Sequence, residues 1–248
     1  MDTAGKVKEA NRMIYDKLSG EYEALDGRRT PGLSAWVRKS LNDISAMVDQ
    51  ADTLLDIGSG SGFVARQAKD IFSKSYGIDI SENILKDLNE HGVIGLCADG
   101  QKLPFKEKSI DVVSLFSVIH HFYDYRPVLD EAYRVLKKGG VIYIDHDMNR
   151  TFFKNFRPFI SIYRRLSAKE KILRERGIEE LHALSEYHSE GIEFEQVRDY
   201  LISLGFNIEK SYCHWYGLSP ITDFIFRNAR FSKGLAPLAG FIAKKIND

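Results

Sequence analysis

The sequence is poor in the features that mark specialised chains. Two cysteines, Cys97 and Cys213, occur in 248 residues. That is too few for a disulfide framework, which a chain of this length does not need in order to build a core. A reducing, cytoplasmic setting is therefore expected. Neither sign of charge is in surplus, with 35 Lys and Arg against 35 Asp and Glu. Proteins that track a phosphate backbone usually carry a basic excess, so whole-chain nucleic-acid binding is disfavoured. Long apolar runs are missing as well. The longest, Val112 to Ile119, has the length of a buried strand, far short of the roughly 20 residues of a membrane span. The opening MDTAGKVKEANRM is polar and lacks the apolar stretch of a secretory signal. What is present is ordinary globular material, 44% hydrophobic and 28% charged, which excludes disorder and low-complexity architectures.

The pattern along the chain is that of a parallel α/β sheet, with short apolar strands alternating with helical stretches. Before it come two helices, carried by Met13, Ile14 and Leu18 and then by Leu33, Trp36, Val37, Leu41 and Ile44, with GRRTPG (27–32) between them. Strands are predicted at Thr53–Ile57, Ser75–Ile80, Val93–Ala98, Ile110–Ser117, Val141–Ile144 and Phe206–Cys213, and more weakly at Leu238–Ile246. Ser81 suits the N-cap of a helix ILKDLNE, and Gly139-Gly140 suits the stop of the helix before strand five. Residues 149–190 contain no strand pattern and read as helices. Four regions result: a helical cover over 1–50, a core over 51–148, a helical lid insertion over 149–192 and the rest of the core over 193–248.

The decapeptide LLDIGSGSGF (54–63) concentrates the chemistry. An apolar strand runs into three glycines at alternate positions and then opens a helix. Glycines let the backbone turn sharply and let a ligand approach, while helix N–H groups face its polar end. Asp79 ends the next strand, where an acid can accept both hydroxyls of a ribose. The dinucleotide fingerprint would require glycine where Phe63 stands, so Phe63 argues against NAD.

In its motifs the chain resembles the class I S-adenosylmethionine-dependent methyltransferases, in the broad branch that includes quinone-biosynthesis enzymes. The resemblance rests on LLDIGSGSG, YGIDIS, CADGQKLPF, IDVVSLFSVIHHF and RVLKKGGVIYI in order, with GFNIEKSY and APLAGFIAKK where that family's final strands stand. It implies a doubly wound, Rossmann-like sheet of seven strands with the last antiparallel, and S-adenosylmethionine as cofactor. It also implies roles. Gly58, Ser59 and Gly60 would hold the methionine end, and Asp56 would support their loop. Asp79 would bind the ribose and Ile80 would pack on the adenine. Asp99, with Gly100 beside it, would accept the adenine amino group. Phe116 and Ser117 would face the sulfonium.

Methyl transfer from a sulfonium is largely a matter of alignment in a dry pocket, and a base is needed only where the acceptor must lose a proton. His120 and His121 follow strand four and are candidates for that base; packing and turn capping are the ordinary alternatives. Tyr187 and His188, in Glu186-Tyr187-His188 at the close of the insertion, could hydrogen-bond a substrate or simply end a surface helix. Tyr15 and Tyr22 read as cover packing. Asp145-His146-Asp147 follows strand five, but Met148 and Asn149 do not complete an oxygen cage, so no metal is expected. From Arg150 to Arg176 the insertion carries nine basic residues against Glu170 and Glu175, interleaved with Phe152, Phe153, Phe156, Phe159, Ile160, Ile162 and Tyr163. A packed lid with a solvated basic face is the plain reading; contact with an anionic membrane or an acidic partner is the sharper one. The expected function is methylation of a small hydrophobic or aromatic acceptor at O, N or C. The alternative is a non-catalytic cofactor-binding module that docks a partner or membrane through the insertion.

Overall fold

A computed structural model describes residues 2–18, 30–86, 88, 91–165, 168–227, 229–231 and 234–247, with backbone alone for 163–165, 168–171 and 220. Tyr22 and the first half of GRRTPG, residues 27–29, lie outside the described residues. Helices α1 (Thr3–Leu18) and α2 (Pro31–Ser45) precede strand β1 (Thr53–Ile57). There follow α3 (Phe63–Ala68), β2 (Lys74–Asp79), β3 (Ile94–Cys97), β4 (Ile110–Phe116), α4 (Arg126–Val135) and β5 (Leu136–Met148). The insertion holds α5 (Arg150–Arg165), α6 (Ala168–Glu175) and α7 (Glu179–Ser185). The chain closes with α8 (Phe194–Leu204), β6 (Phe206–His214), α9 (Pro220–Phe226) and β7 (Leu238–Lys245).

The seven strands form one sheet in the order β3-β2-β1-β4-β5-β7-β6. β1 to β5 pair in parallel, and β7 runs antiparallel to both β5 and β6. Alternation along the central strands explains why both faces are covered. Leu55, Val113, Ile142 and Ile144 pack with Val128, Leu129 and Ala132 of α4 and Val197 and Leu201 of α8. Their neighbours Leu54, Val112, Val141 and Tyr143 face the other way, onto Leu33, Val37, Leu41 and Ile44 of α2 and Val64 of α3. A small satellite core joins α1 to the insertion through Ile14, Leu18, Leu173 and Ile178. No helix among the described residues is long and apolar enough to cross a membrane.

Two local expectations change. Of the helix ILKDLNE expected after Ser81, the described residues form a short 3-10 turn, Asn83–Leu85, with 87, 89 and 90 outside the described residues; Ser81 does accept from Ile84 N at 3.4 Å. β5 is much longer than Val141–Ile144. It begins directly after α4 and passes through Gly139-Gly140. A side chain at Gly140 would place its Cβ 2.9 Å from the carbonyl oxygens of Asp111 and Lys137, so these glycines serve close strand contact as much as helix termination. The polar run Asp145-His146-Asp147, expected in a loop, is buried strand, 0–2% exposed.

Candidate active site

The glycine loop is held from beneath by two buried acids. Gly58, Gly60 and Gly62 all adopt left-handed backbone, with φ of 67°, 53° and 81°, which glycine alone enters without strain. Space adds a second requirement: a Cβ on Gly58 would sit 2.2 Å from Val118 Cγ2. Asp56 accepts from Ser114 Oγ at 2.6 Å. Burial pushes its carboxyl up to about 7, against the lowering effect of the Ser114 and Ala65 hydrogen bonds. Asp79 accepts from Gly60 N at 2.9 Å and from Ser81 N at 3.0 Å, so the second acid fixes the loop's turn. Burial raises its carboxyl too, and the N–H groups of Ser81, Gly60 and Ile80 oppose that rise.

Helix α1 closes the site from above. Lys8, Asn11 and Tyr15 recur at i, i+3 and i+7, one helical face, and all three line the cavity. Lys8 Nζ meets Asp99 Oδ2 at 2.5 Å. Asn11 Nδ2 donates to the His121 carbonyl at 3.0 Å, while its buried Oδ1 has no hydrogen-bond partner among the described residues. Tyr15 OH lies 2.8 Å from His121 Nε2, and His121 Nδ1 lies 2.9 Å from the Ser185 carbonyl. A carbonyl only accepts, so Nδ1 carries the proton in the neutral ring. That leaves Nε2 to accept from the tyrosine hydroxyl. Below, Ser81 Oγ donates to Asp16 Oδ1 at 2.6 Å.

Between loop and helix lies a cavity of about 300 Å³, at the carboxyl ends of the parallel strands, where open α/β sheets take their ligands. The structure brings Asp56, Gly58, Ser59, Gly60, Asp79 and Ile80 to its wall. Asp99, Gly100, Phe116, Ser117 and His121 line it as well. Three candidates stand outside. The His120 ring is held by Asp147 Oδ1 at 2.7 Å. His188 Nε2 lies 3.3 Å from the Tyr123 carbonyl, and burial lowers its pKa. Tyr187 sits ring to ring with Tyr123 at 4.9 Å. Sequence reasoning treated α1 as packing and so missed Lys8 and Asn11. Their signal was three polar side chains sharing one face of an otherwise amphipathic helix.

Behind the far wall, at the ends of β5 and β6, stands a buried polar cluster. Phe116 stacks on His146 at 4.2 Å. A register shift between Ile144 and Asp147 and a left-handed His146, φ 67°, break the strand's alternation there. Asp145 Oδ1 accepts from His214 Nε2 at 2.7 Å and His146 N at 2.7 Å. Its Oδ2 accepts from Tyr143 OH at 2.8 Å, Tyr212 OH at 3.0 Å and Trp36 Nε1 at 3.4 Å. Although burial opposes it, the two histidines hold the Asp145 carboxyl well below the usual carboxylate range. Asp145, His146 and His214 offer donors within 4.8 Å of one another. The five hydrogen bonds already exceed the roughly four lone-pair positions of a carboxylate, so the triad is a bonded network rather than an open cation cage. His214, 69 positions from Asp145, was not a sequence candidate.

Residues 55–144 match the family described as methyltransferase domain. The core belongs to the class I S-adenosylmethionine-dependent methyltransferases. Its cofactor is S-adenosylmethionine. Over 98% of its length the methyltransferase is 28% identical to an uncharacterized protein of Methanocaldococcus jannaschii, covering 94% of that protein. It is 30% identical to the demethylmenaquinone methyltransferase of Thermotoga maritima over 56% of its own length, less than two thirds of that enzyme at 62%. In fold it is similar to another S-adenosylmethionine-dependent methyltransferase of Thermotoga maritima, with a TM-score of 0.61, 20% identity and coverage of 95% and 99% of the two chains. The cavity suits such a cofactor. Asp79 and Asp99 supply carboxylate oxygens, and Asn11 Oδ1 and Ser59 Oγ are buried polar atoms without a partner among the described residues.

Proposed function

We propose that the methyltransferase acts on a small hydrophobic or aromatic acceptor, seated in the half of the cavity that faces Leu33, Phe63, Phe116 and Tyr15. One observation carries this reading: polar groups suited to the cofactor and apolar, aromatic side chains line one cavity. A relative that is a demethylmenaquinone methyltransferase agrees with it.

In this reading Gly58, Ser59 and Gly60 receive the methionine end, with Asn11 Oδ1 accepting from its ammonium group. Asp56 braces the loop. Asp79 takes the ribose hydroxyls with the lone pairs its backbone N–H partners leave, and Ile80 covers the adenine. Asp99 and Gly100 read the adenine edge, and Phe116 and Ser117 lie toward the sulfonium. When bound, the cofactor supplies a methyl group on a good leaving group. The protein's share is alignment and exclusion of water, for which the α1 cover and the aromatic wall serve. A proton leaving an acceptor hydroxyl or amine passes to Tyr15, whose own proton moves to His121 Nε2. His120 positions that ring from beside it, at 4.0 Å between ring centres. Tyr187 and His188 shape the rim beyond Tyr123.

The test is release of S-adenosylhomocysteine over a panel of small hydrophobic and aromatic acceptors. Turnover with a member of the panel is expected. It should fall by about 10²–10⁴ in His121→Ala, a typical general-base contribution, and also in Tyr15→Phe, at unchanged affinity for S-adenosylhomocysteine. Tight cofactor binding with no turnover across the panel would favour the non-catalytic module, and full activity in both variants would remove the proton path.

A further inference from the structure

Among the described residues, most exposed large apolar side chains lie on two helices and at Leu235, away from the cavity. Helix α5 presents Phe156, Phe159 and Ile162, three residues apart, and α9 presents Ile221, Phe224 and Ile225. Leu235 is exposed beside them. Phe159 and Phe224 are 73% and 75% exposed, an unusual state for phenylalanine. A ladder of rings joins the two helices. Phe156 packs on Phe152 at 4.6 Å, Phe152 on Trp215 at 5.0 Å, and Trp215 stacks on Phe226 at 4.9 Å. The Trp215 indole donates to the Leu235 carbonyl at 3.1 Å, which ties the last member to the group. Non-helical backbone at Phe156, with Pro158 inside α5, turns the helix where its apolar residues leave the core: Phe152 and Phe153 are buried, Phe159 and Ile162 are not.

The surround of this patch is basic. Among the described residues, the three cations Arg150, Lys154 and Arg157 pair only with the two acids Glu190 and Glu193. The Arg227 guanidinium sits 6.0 Å from the Phe224 ring centre. In a chain with zero net charge, residues 150–176 hold nine basic and two acidic residues. Scattered apolar residues on a surface need no explanation. Exposed apolar side chains concentrated on two helices that a ring ladder joins do need one, because apolar patches mark interaction surfaces. Apolar side chains that can enter the headgroup region, within a basic surround that is attracted to anionic lipid, make up the chemistry of an interfacial contact.

We propose that α5 and α9 together form a docking face for an anionic lipid surface, on which the enzyme rests peripherally. This goes beyond the methyl-transfer reading and does not depend on it. The charge pattern selects lipid as the occupant. A second copy of this chain would bring the same basic surround against itself, whereas an anionic headgroup layer complements it.

The experiment is flotation of the full chain with vesicles of phosphatidylcholine alone and of phosphatidylcholine mixed with phosphatidylglycerol. Binding to the anionic vesicles is expected, weakening as salt is raised, with little binding to the neutral ones. The double variant Phe159→Glu/Phe224→Glu should lose about tenfold or more in partitioning; both side chains are exposed, so its melting temperature should stay near that of the wild type. Lys154→Glu/Arg157→Glu should abolish the preference for anionic vesicles. Ile202→Glu, an exposed apolar position on α8, should leave binding unchanged. Absence of binding to either vesicle, or equal binding to both, would overturn the proposal. So would a dimer, seen by light scattering, that the phenylalanine variant dissolves, since that result would assign the face to a second copy.

Discussion

The two ends of the cavity are built by different means. At the β1–β2 end the chemistry comes from backbone, in left-handed glycines above two buried acids, of which Asp79 holds the Gly60 N–H and Asp56 bonds Ser114 and Ala65 beside the loop. At the β4–β5 end it comes from side chains that meet across long separations: Tyr15 with His121 on the wall and, behind that wall, Trp36 and His214 with Asp145. The first end can be specified by a dozen consecutive residues and tolerates little change. The second is an assembly of residues far apart in the chain that meet only in the fold. That difference fits an enzyme in which the cofactor is common to a broad family and the acceptor is particular to the member.

The comparison can be broken first at Asp145. Asp145→Ala would strand two histidines, two tyrosines and an indole around an empty position, at a cost of about 3–5 kcal/mol, the range for breaking a buried ion pair. The sign with pH is set by the depressed native value. The stabilisation is present above the unfolded carboxylate range and is lost as pH falls through the native value. Denaturant titrations of both proteins at neutral and acid pH check this, and a variant within about 1 kcal/mol of wild type at neutral pH would show that the network carries little.

Asp56 should behave in the opposite way. Its native value, raised from 3.8 to about 7, makes the folded chain hold a proton that the unfolded chain has released. Stability should therefore fall as pH rises from about 4 to about 7, by up to about 4 kcal/mol. Asp56→Asn should flatten that slope. A slope that survives in the variant would assign the titration to another group.

The smallest effect sharpens the boundary between cover and core. The Lys8–Asp99 pair is partly exposed, so it contributes no more than about 1 kcal/mol. If the adenine also uses Asp99, Lys8→Ala should raise affinity for S-adenosylhomocysteine by less than about fivefold. A clear fall in affinity, measured by calorimetry, would make Lys8 a partner of the cofactor instead of its competitor.

The first end was legible in the sequence and much of the second was not. LLDIGSGSG, Asp79 and Asp99 sit at strand ends that alternation alone locates. Hydrophobic periodicity also found α1 and α2, but it reports the face that packs and says nothing of Lys8 and Asn11 on the face that lines the site. Asp145-His146-Asp147 looked like a loop because polar residues after an apolar strand usually leave the sheet. Here β5 continues between β4 and β7, and His214 and two tyrosines supply the partners that make burial tolerable. A partner 69 residues away leaves no local trace.

The most direct test of the account is a thermal-shift comparison of the wild type and Asp79→Ala with S-adenosylhomocysteine, S-adenosylmethionine and NAD. A ligand at about 100 times its Kd adds roughly 2.7 kcal/mol. For a chain of this size that is about 5–10 °C. Such a shift is expected with both sulfur ligands, none with NAD, and a much smaller one in Asp79→Ala. An NAD shift, or equal shifts in the wild type and the variant, would contradict it.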